Sequence, residues 1–108
     1  MARHSVCLFC SAVEDLPVAT RSLAAEFGAA CARRGLRLVY GGSGRGLMGI
    51  AARAAAAAGG EVLGIMPRQL VRPERAADNI GTLQIVDTLA ERKQRMAETS
   101  DLFVALPG

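Results

Sequence analysis

A glycine-rich turn is the stretch of this sequence best suited to hold an anion. Leu38–Gly49 (LVYGGSGRGLMG) places five glycines within nine residues, between a β-branched and aromatic run and an alanine-rich segment. The pattern predicts a strand, a tight backbone turn and the first turn of a helix. Glycines accept positive φ and expose backbone N–H groups, and a helix N-terminus adds unpaired donors and a positive dipole end. A phosphate fits such a turn.

The turn matches known phosphate-binding motifs only in part. Gly44–Gly49 has the G-x-G-x-x-G spacing of the dinucleotide fingerprint, which normally follows the first strand of its unit and precedes a ribose-binding acid by about 20 residues. Here an earlier strand is predicted at Ser5–Phe9, and the next strand ends in Pro67-Arg68 without an acid. No Gly-Lys-Ser/Thr follows, which excludes a Walker loop. Two interpretations stand: phosphate or nucleotide binding, and a turn that only permits close helix–sheet packing.

A pair of cations in the last predicted helix is a second candidate for chemistry. Thr88–Glu91 (TLAE) has the spacing of a capping box, which predicts that a helix begins there. At about 100° per residue, the apolar stripe of this helix is predicted to contain Leu89, Met96 and Ala97. Lys93 projects inside this stripe and Arg92 lies on its flank. Because burying an unpaired lysine is costly, Lys93 either reaches past the sheet edge into solvent or faces an anionic ligand together with Arg92.

The three cysteines predict reduced thiols. An odd number of cysteines without an export signal is typical of a cytoplasmic protein. Cys7 and Cys10 form a C-x-x-C motif, but they belong to a predicted strand, where residues three apart point to opposite faces. Cys31 falls in a predicted helix and indicates packing. We therefore expect no metal site.

Composition and charge exclude several classes of partner. The chain is 51% apolar with a net charge of +3, and it has three Phe, one Tyr and no Trp. Such a chain offers neither an aromatic platform for single-stranded nucleic acid nor a basic track along a nucleic-acid backbone. No apolar stretch approaches the roughly 18 residues needed to span a bilayer. We expect a folded cytoplasmic protein that binds neither a nucleic-acid polymer nor a membrane.

Strand and helix patterns alternate along the chain and predict an α/β fold. The predicted strands are Ser5–Phe9, Leu36–Tyr40, Val62–Met66, Leu83–Val86 and Leu102–Leu106. Helices are predicted from Pro17 to before Gly35, over Leu47–Ala58 and over Thr88–Thr99, and Pro67–Asn79 is predicted as a loop with at most a short helix. Right-handed crossovers then give a single Rossmann-like domain over residues 1–108, with a doubly wound parallel sheet. The glycine turn and the start of the last helix should share the ligand-binding edge of this sheet.

The last predicted strand has no helix after it. Leu102–Leu106 is apolar and stops at Pro107-Gly108, so it would leave an unprotected sheet edge. We therefore expect either that the sequence is cut within a domain or that another chain covers this edge.

Four segments together resemble the Lonely Guy family of phosphoribohydrolases. They are Tyr40–Gly49 (YGGSGRGLMG), Ile65–Leu70 (IMPRQL), Glu91–Lys93 followed by Met96, and Ala105–Gly108 (ALPG). Their order and spacing match over essentially the whole chain. The resemblance implies a Rossmann-like cytoplasmic homodimer or larger assembly that uses no cofactor. It also implies hydrolysis of the N-glycosidic bond of an N6-modified adenosine 5′-monophosphate, or of AMP, to the free base and ribose 5-phosphate.

The resemblance also implies roles for individual residues. Arg92 would be the catalytic arginine, Lys93 its substrate-contacting neighbour, and Glu74 matches a position associated with substrate binding. Further substrate contacts are implied for Cys10, Ser11, Gly41, Gly42, Ser43, Gly44, Gly46, Met96, Pro107 and Gly108. Pro107 and Gly108 would open the family's PGGxGTxxE segment, whose glycine and threonine groups hold the 5′-phosphate and whose glutamate works with the arginine.

The sequence departs from the family pattern in three places. It stops after the first glycine of PGGxGTxxE, the family's Cys-Gly-Ser-Ser reads CSAV at Cys10–Val13, and Ser43 replaces the third glycine of GGG. We therefore expect an incomplete active site with impaired activity. The alternatives are a non-catalytic nucleotide- or molybdenum-cofactor carrier on the same fold, and a remnant that only pairs with a partner through its open edge.

Overall fold

The computed structural model describes residues 4–10, 15–71 and 80–106. In chain order its elements are β1 (Ser5–Phe9), α1 (Val18–Arg33), β2 (Arg37–Tyr40), α2 (Gly46–Ala57), β3 (Val62–Pro67), a 3-10 turn (Arg68–Leu70), β4 (Thr82–Val86), α3 (Leu89–Thr99) and β5 (Leu102–Ala105). The strands form one parallel sheet in the order β4-β3-β2-β1-β5. The predicted α/β class, the parallel sheet and the alternation of elements are confirmed.

The strand order reverses at β1, and the helices follow this reversal. The chain moves outward from β1 to β2 and β3 through α1 and α2, whereas α3 leads from β4 back to β5 on the other side of β1. Right-handed crossovers in opposite directions place their helices on opposite faces of the sheet. A doubly wound sheet of this kind opens a crevice at the carboxyl ends of the strands beside the reversal.

Each face of the sheet has its own apolar cluster, as continuous apolar strands predict. The buried cluster under α1 and α2 contains Leu8, Ala24, Leu38, Tyr40, Leu47, Ala51, Ala52, Ala55, Val62 and Ile80. The buried cluster under α3 contains Cys7, Val39, Leu63, Ile65, Val86 and Met96. β3 is buried along its whole length, so it is covered on both faces, by the cluster under α1 and α2 on one side and by the cluster under α3 on the other.

α1 and α2 touch through small residues. A Cβ built on Gly28 of α1 would overlap the carbonyl group of Ala51 in α2, so the two backbones lie in direct contact there. The alanine-rich α2 is buried on its inner face, while Arg53 on the outer face is exposed. Among the described residues, none of the helices is long and apolar enough to cross a membrane.

The predicted exposed edge is confirmed at β5. Leu102 and Phe103 are 56% and 53% exposed. The ring of Phe103 stacks on that of Phe9 in β1, with a centroid separation of 6.3 Å and an interplanar angle of 18°. β5 thus presents apolar side chains at the rim of the sheet.

Polar groups tie β1, β2 and the end of α3 together at the amino end of the sheet. The Ser5 N–H donates to Asp101 Oδ2 at 2.8 Å, and the Asp101 N–H donates to the Ser5 carbonyl at 2.9 Å. Arg37 Nε donates to Ser5 Oγ at 2.9 Å, and Arg37 Nη2 donates to the Thr99 carbonyl at 3.2 Å. We call this group of Ser5, Arg37, Thr99 and Asp101 the amino-end clamp.

Candidate functional site

A cavity opens at the carboxyl ends of β1 and β2, beneath the start of α3. It has a volume of about 220 Å³ and is lined by Leu8, Phe9, Cys10, Gly41, Met48, Leu89, Arg92, Lys93 and Met96. Its walls are apolar apart from the two cations. The prediction that the glycine turn and the cation pair share one edge of the sheet is therefore confirmed, and the cavity brings together Cys10, Gly41, Arg92, Lys93 and Met96 from the predicted site.

Two backbone carbonyls hold the Arg92 guanidinium. Arg92 Nε donates to the carbonyl of Ile65 in β3 at 2.9 Å, and Arg92 Nη2 donates to the carbonyl of Gly41, just after β2, at 2.5 Å. These contacts link α3 to the ends of two neighbouring strands. Neutral carbonyls accept hydrogen bonds without cancelling the charge, so the guanidinium keeps its full positive charge.

No carboxylate pairs with Arg92 among the residues that the structure describes. Burial lowers the pKa of Arg92, because desolvation disfavours its charged form, and the Cys7 sulfur opposes this effect. An arginine nevertheless stays protonated at neutral pH. Within the described part of the chain, the cavity therefore contains a partly buried cation without an anionic partner, which favours binding of an anionic or electron-rich ligand.

The predicted orientation of α3 is wrong in one respect. Lys93 is exposed and stands at the rim of the cavity, whereas Arg92 turns inward. Of the predicted apolar stripe only Met96 is buried, since Leu89 is 47% exposed and Ala97 is exposed as well. The physical reason is that a planar guanidinium finds two carbonyl partners here, whereas a compact and strongly hydrated ammonium remains in solvent. Lys93 thus reaches solvent, which is one of its two predicted alternatives.

The start of α3 is fixed by its cap. Thr88 Oγ1 accepts a hydrogen bond from the Glu91 N–H at 3.0 Å, as the capping-box spacing predicts. The helix N-terminus is thereby placed at the carboxyl edge of the sheet, one turn before Arg92. Arg92 lies in the lining of the cavity at this edge.

Most of the glycine turn is occupied by its own internal contacts. Ser43 Oγ accepts from the Arg45 N–H at 3.1 Å, and the Gly44 carbonyl accepts from Arg53 Nη2 at 2.7 Å. A Cβ on Gly49 would overlap the Gly44 carbonyl, so these glycines permit close packing within the turn. Gly42, Ser43, Gly44 and Gly46 do not line the cavity, and their contact with a substrate stays a prediction.

The cysteines behave as packing residues in the described part of the chain. All three are free thiols. Cys7 belongs to the cluster under α3, whereas Cys10 packs against the opposite cluster, so the predicted opposite directions are confirmed. Burial raises the pKa of Cys10 to about 11, which keeps this cavity thiol protonated at neutral pH. Among the described residues, no three His, Cys, Asp or Glu side chains converge as metal ligands.

Four predicted site residues lie outside the described residues: Ser11, Glu74, Pro107 and Gly108. Sequence reasoning also missed part of the cavity. Met48 stands within the glycine-turn motif and Leu89 opens α3, so their positions at the carboxyl edge were a usable signal. The Ile65 carbonyl carries no side-chain signal, because any residue at that position supplies the same acceptor.

Comparisons with known proteins place this chain within a family. A family model described as "Possible lysine decarboxylase" matches residues 48–108. The chain is similar to the cytokinin riboside 5′-monophosphate phosphoribohydrolase of Rhodococcoides fascians, with 44% identity over 105 residues that cover 96% of this chain and 53% of the relative. It is also similar to the cytokinin riboside 5′-monophosphate phosphoribohydrolase LOG of Oryza sativa subsp. japonica, with 35% identity over 103 residues that cover 95% of this chain and 43% of the relative. The chain spans about half the length of the curated relatives it matches.

Solved structures extend the likeness in fold. The molybdenum cofactor binding protein from the phototrophic bacterium Rippkaea orientalis aligns with a TM-score of 0.82 and 22% sequence identity. The alignment covers 98% of this chain and 63% of that chain. At this level of identity the likeness establishes a shared fold.

Proposed function

This chain belongs to the family described as "Possible lysine decarboxylase", and from this premise we propose that it serves in N-glycosidic hydrolysis of adenosine 5′-monophosphates. The substrates would be AMP and its N6-modified forms, and the products the free base and ribose 5-phosphate. The names of the curated relatives support this proposal, and so do the motifs that resemble the Lonely Guy family. Decarboxylation of lysine has no support in the residues of the cavity.

The observation that carries the proposal is the uncompensated Arg92 in an apolar cavity. Cleavage of an N-glycosidic bond passes through an oxocarbenium-like ribose and leaves electron density on the departing base. A cation held beside the base stabilises that developing charge, and it does so more strongly in a partly buried site than in water. Two carbonyls use Nε and Nη2 of Arg92, and the remaining N–H groups are available to the substrate.

The other cavity residues have complementary roles in this proposal. The apolar walls, which include Leu8, Met48 and Leu89, accommodate the flat apolar faces of a purine base. Lys93 at the rim attracts the phosphate from solvent without being buried itself. Glu74 stays the proposed substrate-binding acid, and Pro107 and Gly108 the proposed start of the phosphate-binding segment.

The test is whether the protein releases the base. Purified protein extended through the PGGxGTxxE segment is incubated with AMP and with an N6-alkylated AMP, and free base and ribose 5-phosphate are measured by chromatography. We expect equal amounts of both products. Tight nucleotide binding without base release on prolonged incubation would support the non-catalytic carrier and contradict hydrolysis.

We extend the proposal to organisation and location. The chain would act as one Rossmann-like domain within a homodimer or larger assembly in the cytoplasm. The three free thiols support a reducing compartment. Sedimentation as a monomer would contradict the assembly.

A further inference from the structure

Gly41 contacts Arg92 in two ways: its carbonyl accepts a hydrogen bond from the guanidinium, and its lack of a Cβ leaves room for that guanidinium. The Gly41 carbonyl accepts from Arg92 Nη2 while the Ile65 carbonyl accepts from Arg92 Nε. One acceptor in β3 and one just after β2 fix both the position and the plane of the guanidinium.

The space above Gly41 is filled by the arginine. A Cβ built on Gly41 would overlap Arg92 Nη2, and it would lie 3.1 Å from Arg92 Cζ and 3.1 Å from Met48 Sδ. These distances are too short for ordinary packing, so the guanidinium or the turn would have to move. The guanidinium therefore lies directly on the bare Cα of Gly41.

The backbone conformation does not explain the glycine at this position. The glycines with positive φ in the described chain include Gly42 at 86° and Gly46 at 58°, and Gly41 is not among them. Since the φ of Gly41 is not positive, what opposes a side chain here is the overlap with the neighbouring arginine and not a left-handed backbone. This separates Gly41 from Gly42, for which the backbone alone is sufficient reason.

We propose that Gly41 is a positioning residue for Arg92, which it holds through its carbonyl and through the absence of a Cβ. The catalytic meaning of this role rests on the function proposed above. A Cβ at position 41 would occupy the space of Nη2, so the guanidinium would have to turn away from the Gly41 carbonyl, and we expect Nε to leave the Ile65 carbonyl in the same movement. The cation then no longer faces the place where the base departs.

The direct test follows the Arg92 Nε–H group by NMR in the ¹⁵N-labelled chain, with Arg92→Lys identifying the signal. We expect slow hydrogen exchange at Nε in the wild type and fast exchange in Gly41→Ala. The matched control is Gly60→Ala at the opposite end of the sheet, where a Cβ would meet Ala32 Cβ at 2.6 Å and the Ala55 carbonyl oxygen at 3.1 Å. The added Cβ of this control is also crowded, but it lies far from Arg92, so the Arg92 Nε–H group should keep its slow exchange. Unchanged exchange in Gly41→Ala would overturn the proposal.

A second measurement covers the case in which Gly41→Ala folds poorly. Lysine lacks the Nη2 group that the new Cβ would overlap, so the double variant Gly41→Ala/Arg92→Lys should unfold at a higher temperature than Gly41→Ala alone. The two substitutions are in contact, and their effects should therefore be non-additive. A double variant that is no more stable than Gly41→Ala would contradict the role of Gly41.

Kinetics separate this inference from the proposed function. On AMP, Gly41→Ala should lower kcat roughly ten- to hundred-fold with a smaller change in KM, because a misplaced catalytic group impairs the reaction more than binding. Gly60→Ala should leave kcat unchanged. If the Nε–H signal responds as expected but the wild type releases no base, the positioning is supported and the proposed function fails. If the signal does not respond, the positioning fails whatever the activity.

Discussion

Two arginines join elements at opposite ends of the sheet, and they are held in different ways. Arg37 in the amino-end clamp donates to Ser5 Oγ and to the Thr99 carbonyl, and its Nε lies 3.6 Å from the Glu61 carboxylate. Arg92 at the carboxyl end donates to two carbonyls and has no acid partner in the described part of the chain. The difference shows one residue type in two settings: a compensated charge that fastens strands together, and an uncompensated charge that the proposed function assigns to the substrate.

The amino-end clamp also supplies its own acid for the neighbouring groups. Asp101 accepts from the Ser5 N–H, and its carboxylate lies 3.6 Å from His4 Nδ1. At the cavity the corresponding surroundings are thiols, thioethers and hydrocarbon, and the carboxylate of Asp87 is directed to Arg68 at 3.3 Å. Among the described residues, cations at both ends of the sheet have acids beside them, but none of these acids stands beside Arg92 in the cavity.

The largest effect should come from removing the uncompensated charge. In Arg92→Ala we expect kcat/KM for AMP to fall about a hundredfold or more, equivalent to ~3 kcal/mol of transition-state stabilisation. The measurement is base release compared with the wild type at matched concentrations. Turnover that survives this substitution would refute the catalytic role of Arg92.

Removing the compensated charge of Arg37 should lower stability and leave catalysis unchanged. Arg37→Ala loses two hydrogen bonds at the clamp and should cost about 1–3 kcal/mol in the free energy of unfolding, with kcat unchanged. Chemical denaturation measures the first and base release the second. Arg33→Ala is the control, because this exposed arginine at the end of α1 should change stability by no more than about 0.5 kcal/mol. A fall in kcat without a loss of stability would contradict the clamp.

Alkaline pH should lower the stability of the folded chain through the thiol of Cys10. Folding raises the pKa of this thiol from 9.0 to about 11, so the folded chain holds its proton where the unfolded chain releases it. Stability from this source is complete below pH 9 and is lost as the pH rises toward 11, by about 1–2 kcal/mol after allowance for partial exposure. Thermal unfolding between pH 8 and 11 should therefore show a shallower decline in Cys10→Ala. Equal declines in the two proteins would rule out this contribution.

The smallest effect belongs to the exposed cation of the pair. Lys93→Ala should weaken nucleotide binding about two- to fivefold, because a solvated ammonium at the rim contributes less than ~1 kcal/mol. The difference from the wild type should disappear as salt is added, since screening shortens the range of the attraction. Calorimetric titration at low and high salt measures both. A larger loss than in Arg92→Ala would invert the assignment of the two cations.

Sequence reasoning recovered the framework because each element has a local cause. Pro17 precedes α1, Thr88 caps α3, and β3 is a continuous apolar run. The order of the elements and the ligand-binding edge of the sheet can therefore be predicted from residues close together in the sequence. The inward turn of Arg92 has no such cause. The packing of Met96 in the cluster under α3 sets the rotation of that helix, and a backbone carbonyl supplies the partner, so neither can be read from helical periodicity.

The glycine turn was only partly predictable for a related reason. Its composition indicates exposed backbone, but it does not reveal which N–H and carbonyl groups are used internally. Arg53, seven residues further into α2 than Gly46, occupies the Gly44 carbonyl, and Gly41 alone of these glycines lines the cavity. Such pairings depend on which side chains of α2 reach back to the glycine turn, as Arg53 does.

The backbone contact between α1 and α2 limits how this protein can diversify. At Gly28 any added carbon atom meets the Ala51 carbonyl group, so homologues can vary little there without shifting a whole helix. The outward side of α2, which carries the exposed Ala56 and Ala57, is free of this restriction. Substitutions should therefore be rare where α1 and α2 touch and common on the outward side of α2. The least variable positions would then include residues that do not contact a substrate.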